Sequence, residues 1–392
     1  MCAEILDLDN DDENDRYSRL KLIPWWDQEK LSRARVMVVG AGALGNEILK
    51  NLALLGVGNI FVVDFDTIEN SNLSRAILFR SGDEKQSKAD TACKAVREIN
   101  PDCKARSING NISFDVGLGF LRRMDVVIGG LDNREARLAI NMGCWKVNTP
   151  WIDGAIEVLF GIARVFVPPH TACYECTMNE QDYKLLKHRR SCALLTRSEM
   201  LQGKVPTTPT TSSIIAGIQV QEAVKLIHGR DDLPTLAGKG FFYNGLTHDS
   251  YIVDYNRKDD CLSHETFTEI VELSGGYETG IGELLERVRR DLGPEAVLDL
   301  DKEIVTHLQC EVCNIREPVF RLLGQVTERD ARCPGCGEVR TPEMTHTITG
   351  QEPFLDGTFK SIGLPPFDIV TGRVGLEMRH YEFTGDLENV MR

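Results

Sequence analysis

No apolar run in this 392-residue sequence approaches the roughly 18 residues that a membrane helix requires, so no spanning segment is expected. The N-terminus, MCAEILDLDNDDENDRY, lacks both the basic n-region and the long apolar stretch of a secretory signal. Positive charge is scarce too: 45 Lys and Arg face 59 Asp and Glu, a net charge of −14. That deficit argues against broad affinity for nucleic acids or anionic membranes, whose phosphates select basic surfaces. No internal repeat is evident. These absences leave a cytoplasmic enzyme as the expectation.

What is present is the composition of a globular protein, 42% hydrophobic and 27% charged. The length suits one main domain and a smaller second one. Residues 1–15 hold seven Asp or Glu and no Lys or Arg, and read as an acidic disordered tail. Twelve cysteines without a secretion signal point to metal sites or reactive thiols rather than disulfides. Their recurrence in C-x-x-C and C-x-x-H pairs favours metal.

From Val36 the chain reads as a strand (VMVVG), a glycine turn, a helix (ALGNEILKNLALLG) and a second strand (NIFVVDFD). Parallel strands need such a crossover helix, so this is a βαβ unit. A helix fits 88–100, and MDVVIGGLD (124–132) fits a strand covered on both faces. Further strands are expected over 159–167 and 240–256. A helix fits 212–229, with Ser at its start and Gly at its end as caps. Residues 177–211 between them are polar and rich in Thr and Pro, the reading of a long crossing loop, and loops of that length are usually functional. The whole implies an α/β, doubly wound, mostly parallel sheet over 16–266. A smaller α+β domain is expected over 267–392, opened by an amphipathic helix at 281–293.

G-A-G-A-L-G (40–45) follows a strand and opens a helix, so Gly40, Gly42 and Gly45 allow a tight turn while the helix N-terminus offers N–H groups to phosphate. Asp64 ends the next strand, about 20 residues on, where a ribose-binding carboxylate belongs. Alone, this pattern favours a dinucleotide enzyme, and a glycine turn with no ligand is also open.

The residues downstream change that balance. Asp64 and Asp66 precede Asn72 and Arg75 in FDTIENSNLSRAILF; Lys88 opens a helix; Asp132 and Asn133 lie in GLDNREAR. This order resembles the ubiquitin-activating superfamily, which includes the ThiF–MoeB-type adenylyltransferases of molybdopterin and thiamine synthesis and the activating enzymes of ubiquitin-like modifiers. The resemblance spans about residues 16–265. It implies that Asp64 and Asp66 bind the nucleotide, with Asp64 on the ribose. Asn72, Arg75 and Lys88 would contact the triphosphate, Asn133 would also bind the nucleotide, and Asp132 would hold magnesium. Carboxylate and phosphate oxygens suit such a hard cation, and charge neutralisation and positioning are the main catalytic terms in displacement at phosphorus. RYSR (16–19) resembles the family's R-Y-x-R motif, which implies a homodimer in which Arg19 acts in trans. One departure is Ala76, where relatives often carry Gln.

Cys173 and Cys176, with Cys261 and His264, form two chelating pairs for a tetrahedral metal. The resemblance implies one structural zinc there, with His264 replacing the usual fourth cysteine. Cys310 and Cys313 are separated by 19 residues from Cys333 and Cys336, the spacing of a zinc ribbon over 310–336. In KHRRSCALL, Cys192 follows four basic residues that favour its thiolate. Its position on the crossing loop resembles the catalytic cysteine of compact, single-chain activating enzymes of the UFM type. Cys93, Cys103 and Cys144 read as packing residues on helices or their edges.

The expected function is ATP-dependent adenylation of the C-terminal Gly carboxylate of a Gly-Gly-ended ubiquitin-like protein. A thioester on Cys192 and transfer to a conjugating enzyme would follow. A sulfur-carrier protein adenylated without a thioester is the alternative, and an NAD-dependent oxidoreductase a distant one. The cofactors implied are ATP, magnesium and two zinc ions.

Overall fold

The computed structural model describes residues 15–183 and 206–386. The acidic segment 1–14, the candidate nucleophile Cys192 and the basic run before it lie outside the described residues. Among those described, no helix is long and apolar enough to cross a membrane.

The first sheet has eight strands in the order β3-β2-β1-β4-β5-β6-β7-β8. They are β1 Arg35–Val39, β2 Asn59–Val63, β3 Lys104–Ile108, β4 Val126–Gly129, β5 Trp151–Glu157, β6 Phe160–Phe166, β7 Lys239–Asn244 and β8 Asp249–Asp254. β3 to β5 pair in parallel through β1 and β2, and β5 to β8 run antiparallel. β1, β2 and β4 are buried almost throughout, as strands covered on both faces must be.

Helices Ala43–Leu55, Lys88–Ile99 and Pro209–His228 cover one face. The first ends where Gly56 adopts a left-handed φ of 73°, a conformation glycine enters without Cβ strain. Two expectations need correcting. Thr208, not a serine, caps the Pro209–His228 helix, accepting from Thr211 N, so the crossing loop ends before 209. The stretch 240–256 is a hairpin rather than one strand, because residues 245–248 turn between β7 and β8.

The second sheet contains β9 Ile270–Leu273, β10 Val297–Gln309, β11 Arg316–Leu322, β12 Thr341–Ile348, β13 Ile369–Val374 and β14 Glu377–Phe383. Its order is β11-β10-β13-β14-β9, with β12 also paired to β10. The amphipathic helix forms at Ile281–Leu292 and buries Ile281, Leu284, Leu285 and Val288.

This second unit does not hang free. The other face of the first sheet is covered by helix Arg134–Lys146, the short helix Leu118–Arg122, and Phe367 and Ile369 from the C-terminal region. Burying each of those two side chains contributes about 1.5–3 kcal/mol. Polar contacts reinforce the seam: Leu118 N donates to Asp368 (2.7 Å), Arg123 pairs with Glu382 (3.2 Å), and Lys146 pairs with Asp301. Removing 267–392 would therefore strip part of the first domain's own core.

Candidate active site

The turn after β1 is built from its glycines. Gly40 has φ +92°, and a Cβ there would lie 2.6 Å from Gly130 O; at Gly45 a Cβ would lie 1.9 Å from Gly40 O. Packing excludes side chains at both. Gly42 differs, for nothing lies within 4 Å of where its Cβ would be. Packing within this chain does not demand glycine at Gly42, whereas a ligand seated against its backbone would. Asn46, fully buried in the helix that follows, staples the turn: its Nδ2 donates to Ala41 O (2.7 Å) and Gly42 O (3.0 Å), and its Oδ1 accepts from Leu78 N (2.8 Å).

The remaining residues arrive from loops after β2 and β4, at the carboxyl edge of adjacent strands β2, β1 and β4. Strand order reverses between β1 and β4, the switch point where open α/β sheets bind ligands. Asp64 Oδ2 accepts from Ala41 N (2.7 Å) and Oδ1 from Asp66 N (2.8 Å), tying the end of β2 to the glycine turn. Burial raises its pKa, opposed by Lys88 and those two amides. Asp66 pairs with Lys88 at 2.9 Å. Arg75 donates to Ser71 O (2.7 Å). Asn72 and Asn133 are local caps: Asn72 accepts from Glu69 N (2.9 Å), and Asn133 from Ala136 N (2.8 Å) at the start of the Arg134–Lys146 helix. Asp132 is exposed and has no hydrogen-bond partner among the described residues. Amides, two cations and an unpaired carboxylate thus share one edge, a donor set that fits a magnesium-bound polyphosphate.

Arg19 is exposed on the short helix Ser18–Lys21. Its neighbour Tyr17 packs at Gly56 and accepts from Asn100 Nδ2 at 2.7 Å. That anchors the segment at the far end of the helix that begins at the glycine turn, about 20 Å away at 1.5 Å per residue.

Two four-ligand clusters lie elsewhere, each with its ligand atoms within 4.8 Å of one another. In the first, Cys173 Sγ lies 3.7 Å from Cys176 Sγ and 3.5 Å from Cys261 Sγ, and Cys176 Sγ lies 3.4 Å from His264 Nε2. These spacings fit tetrahedral metal–sulfur geometry, and His264 takes the fourth corner. Trp145 stacks on His264 at 4.7 Å. In the second, Cys310 and Cys336 are 3.6 Å apart, and Cys313 N and Gly335 N donate to Cys310 and Cys333 sulfurs, both at 3.4 Å. Both clusters can hold zinc.

The ThiF family profile matches residues 15–263, more than half of the chain. The chain belongs to the ThiF family. A SAMP-activating enzyme E1 of Haloferax volcanii is 31% identical over 63% of this chain and 87% of its own length. Ubiquitin-like modifier-activating enzyme 5 of Dictyostelium discoideum is 28% identical over 66% of this chain and 67% of its own. The NEDD8-activating enzyme E1 catalytic subunit of Caenorhabditis elegans is 42% identical, but the chain spans only 42% of that relative's length. Among solved structures, Escherichia coli MccB with ATP superposes with a TM-score of 0.54 at 24% identity, covering 65% of this chain and 75% of MccB. That likeness shows the fold. The family match also removes the support for an oxidoreductase.

Within this ThiF chain the other described thiols suit packing. Burial pushes Cys93 up to about 12 and Cys103 up to about 11, and raises Cys144 further. Ala76 is buried in the core rather than facing the site. A set of residues with no sequence signal also emerges: Arg137, Asp153 and Arg164 form a buried ion triad. Arg137 Nε donates to Asp153 Oδ1 (2.8 Å) and Arg164 Nε to Asp153 Oδ2 (3.0 Å). Burial alone would raise the Asp153 pKa, yet the two guanidiniums outweigh it and hold it below the usual carboxylate value.

Proposed function

We propose that this ThiF-family chain binds magnesium–ATP at the β2-β1-β4 edge and adenylates the C-terminal carboxylate of a ubiquitin-like protein. The observation that carries this is the open space at Gly42 in an edge that gathers Lys88, Arg75 and Asp132, which is exposed and has no hydrogen-bond partner among the described residues. The names of the Haloferax and Dictyostelium relatives support the substrate class. An ionised carboxylate is already a nucleophile and needs no general base. Its oxygen bonds to the α-phosphorus, the bond to the β-phosphate oxygen breaks, and pyrophosphate leaves. The helix N-terminus, Arg75 and Lys88 neutralise charge along that path, Asp132 holds the magnesium, and Asp64 holds the ribose.

In this reading Cys192 then attacks the acyl carbon as thiolate, AMP leaves, and a conjugating enzyme receives the modifier by thioester exchange. The chain works as a homodimer, and Arg19, anchored away from its own glycine turn, serves the partner's phosphates. Zinc in both clusters is structural.

ATP–pyrophosphate exchange with a Gly-Gly-ended candidate tests the first step. Asp132→Ala and Lys88→Ala are each expected to lower exchange by about a hundredfold or more. Exchange that persists unchanged in both variants would sink the proposal. A thiol-sensitive adduct on a non-reducing gel, lost in Cys192→Ala, tests the second step. Its persistence there would move the nucleophile elsewhere.

A further inference from the structure

The first metal cluster is joined to the loop that carries Asp132 by a chain of buried contacts. Arg164, on β6, lies over the Tyr174 ring at 4.9 Å and donates to Thr177 Oγ1 at 3.4 Å. Tyr174 sits between Cys173 and Cys176, and Thr177 follows Cys176, so both belong to the metal knuckle. Arg164 and Asp153 are registered partners across β5 and β6, and the other oxygen of Asp153 is taken by Arg137. Arg137 Nη2 reaches Leu131 O in the loop and Gly154 O in β5, the latter at 3.1 Å.

We propose that Arg137 is a positioning residue for nucleotide binding: held by Asp153 and Arg164 to the Cys173–Cys176 knuckle, it fixes the 130–133 loop and so sets where Asp132 meets magnesium. This rests on the magnesium–ATP reading above. The placement of Asp132 needs such a device. Its side chain makes no hydrogen bond among the described residues, so within them its backbone neighbours set its position. On one side the Asn133 cap holds the helix start; on the other, Leu131 O is held by Arg137. Gly130 is fixed in turn by its N–H on Val39 O (2.8 Å) and by its close approach to Gly40. A charged, planar donor reaching three acceptors at once cannot be replaced by lysine, whose single ammonium keeps the charge but spans one position. The metal cluster thereby becomes part of the active-site scaffold, acting through Arg164 and Asp153.

The test is ATP affinity by calorimetry on the full chain, with and without magnesium, for wild type, Arg137→Lys and Arg164→Lys. A thermal melt checks that each variant is folded. Arg137→Lys is expected to lose about tenfold or more of the affinity gained from magnesium, the usual cost of a lost partner behind a metal ligand, while magnesium-free affinity stays within about twofold. Arg164→Lys is expected to lose less, in the same direction. A folded Arg137→Lys with the wild-type magnesium gain overturns the inference; should that variant not fold, an unchanged gain in Arg164→Lys overturns it instead. A wild type with no magnesium-dependent gain sinks the nucleotide reading itself, a different failure.

Discussion

Two buried carboxylates, each between two arginines, behave in opposite ways. Asp153, inside the first domain, gives one oxygen to each arginine, and both arginines are themselves largely buried. Its pKa is lowered. Glu382, at the seam between the sheets, is fully buried, but Arg122 and Arg123 remain 28% and 26% exposed and share only its Oε2. Its Oε1 has no partner, and Glu272 brings a second negative charge to the same arginines. Burial therefore wins, and the Glu382 pKa is raised. The number of arginines does not decide the outcome. What decides it is whether every lone pair is met and whether the cations are withdrawn from water.

Asp153→Ala breaks this comparison most severely. It leaves Arg137 and Arg164 uncompensated in the interior, and a cost of about 3–5 kcal/mol is expected in urea denaturation. A cost under about 1 kcal/mol would mean that the triad is wetter than its geometry.

Glu382→Gln should cost about 1 kcal/mol or less, because its arginines can return to solvent and the charged form was disfavoured. The pH dependence sharpens the point. A carboxyl with a raised folded pKa destabilises the fold at neutral pH, and that penalty lifts as pH falls through the folded pKa towards the unfolded value near 4.3. Wild type should therefore gain stability relative to Glu382→Gln between about pH 7 and pH 4.5. Asp153, with its folded pKa below the unfolded value near 3.9, keeps its contribution across that window and loses it only at lower pH. Stability differences measured at several pH values check both. A wild type that loses ground to Glu382→Gln on acidification would reverse the assignment.

The two environments were also unequally legible. The gathering at the β2-β1-β4 edge could be read because the glycine turn and Asp64 at a strand end stand at a fixed offset, and Lys88, opening a helix, stands in the order of the family the chain resembles. Both four-ligand clusters were readable as short-range Cys and Cys/His pairs. β3 was not, because KARSI alternates charge with small residues and shows no apolar run. Asp153 and its partners had no local pattern either. Arg164 meets Asp153 through strand register, and Arg137 comes from a helix. Nor could the seam be read, since Phe367 and Ile369 look like the core of their own sheet and instead fill the first domain's. Periodicity reports which face of an element is buried, never which distant element covers it.

The smallest expected effect falls on Glu272, which is 52% exposed and held below its usual pKa by hydrogen bonds from Arg123 and Arg122. A surface pair of this kind contributes about 0.5 kcal/mol or less, and less still at high salt. Glu272→Gln should therefore barely move the denaturation midpoint. It should, however, free both arginines for Glu382 and remove a repelling charge, so the Glu382 pKa falls back. The double comparison follows: with Glu272→Gln as background, the pH-dependent gain over Glu382→Gln should shrink while neutral-pH stability holds. If the gain is undiminished, the unmet Oε1 and desolvation alone set the Glu382 pKa, and the competing carboxylate has no part in the contrast with Asp153.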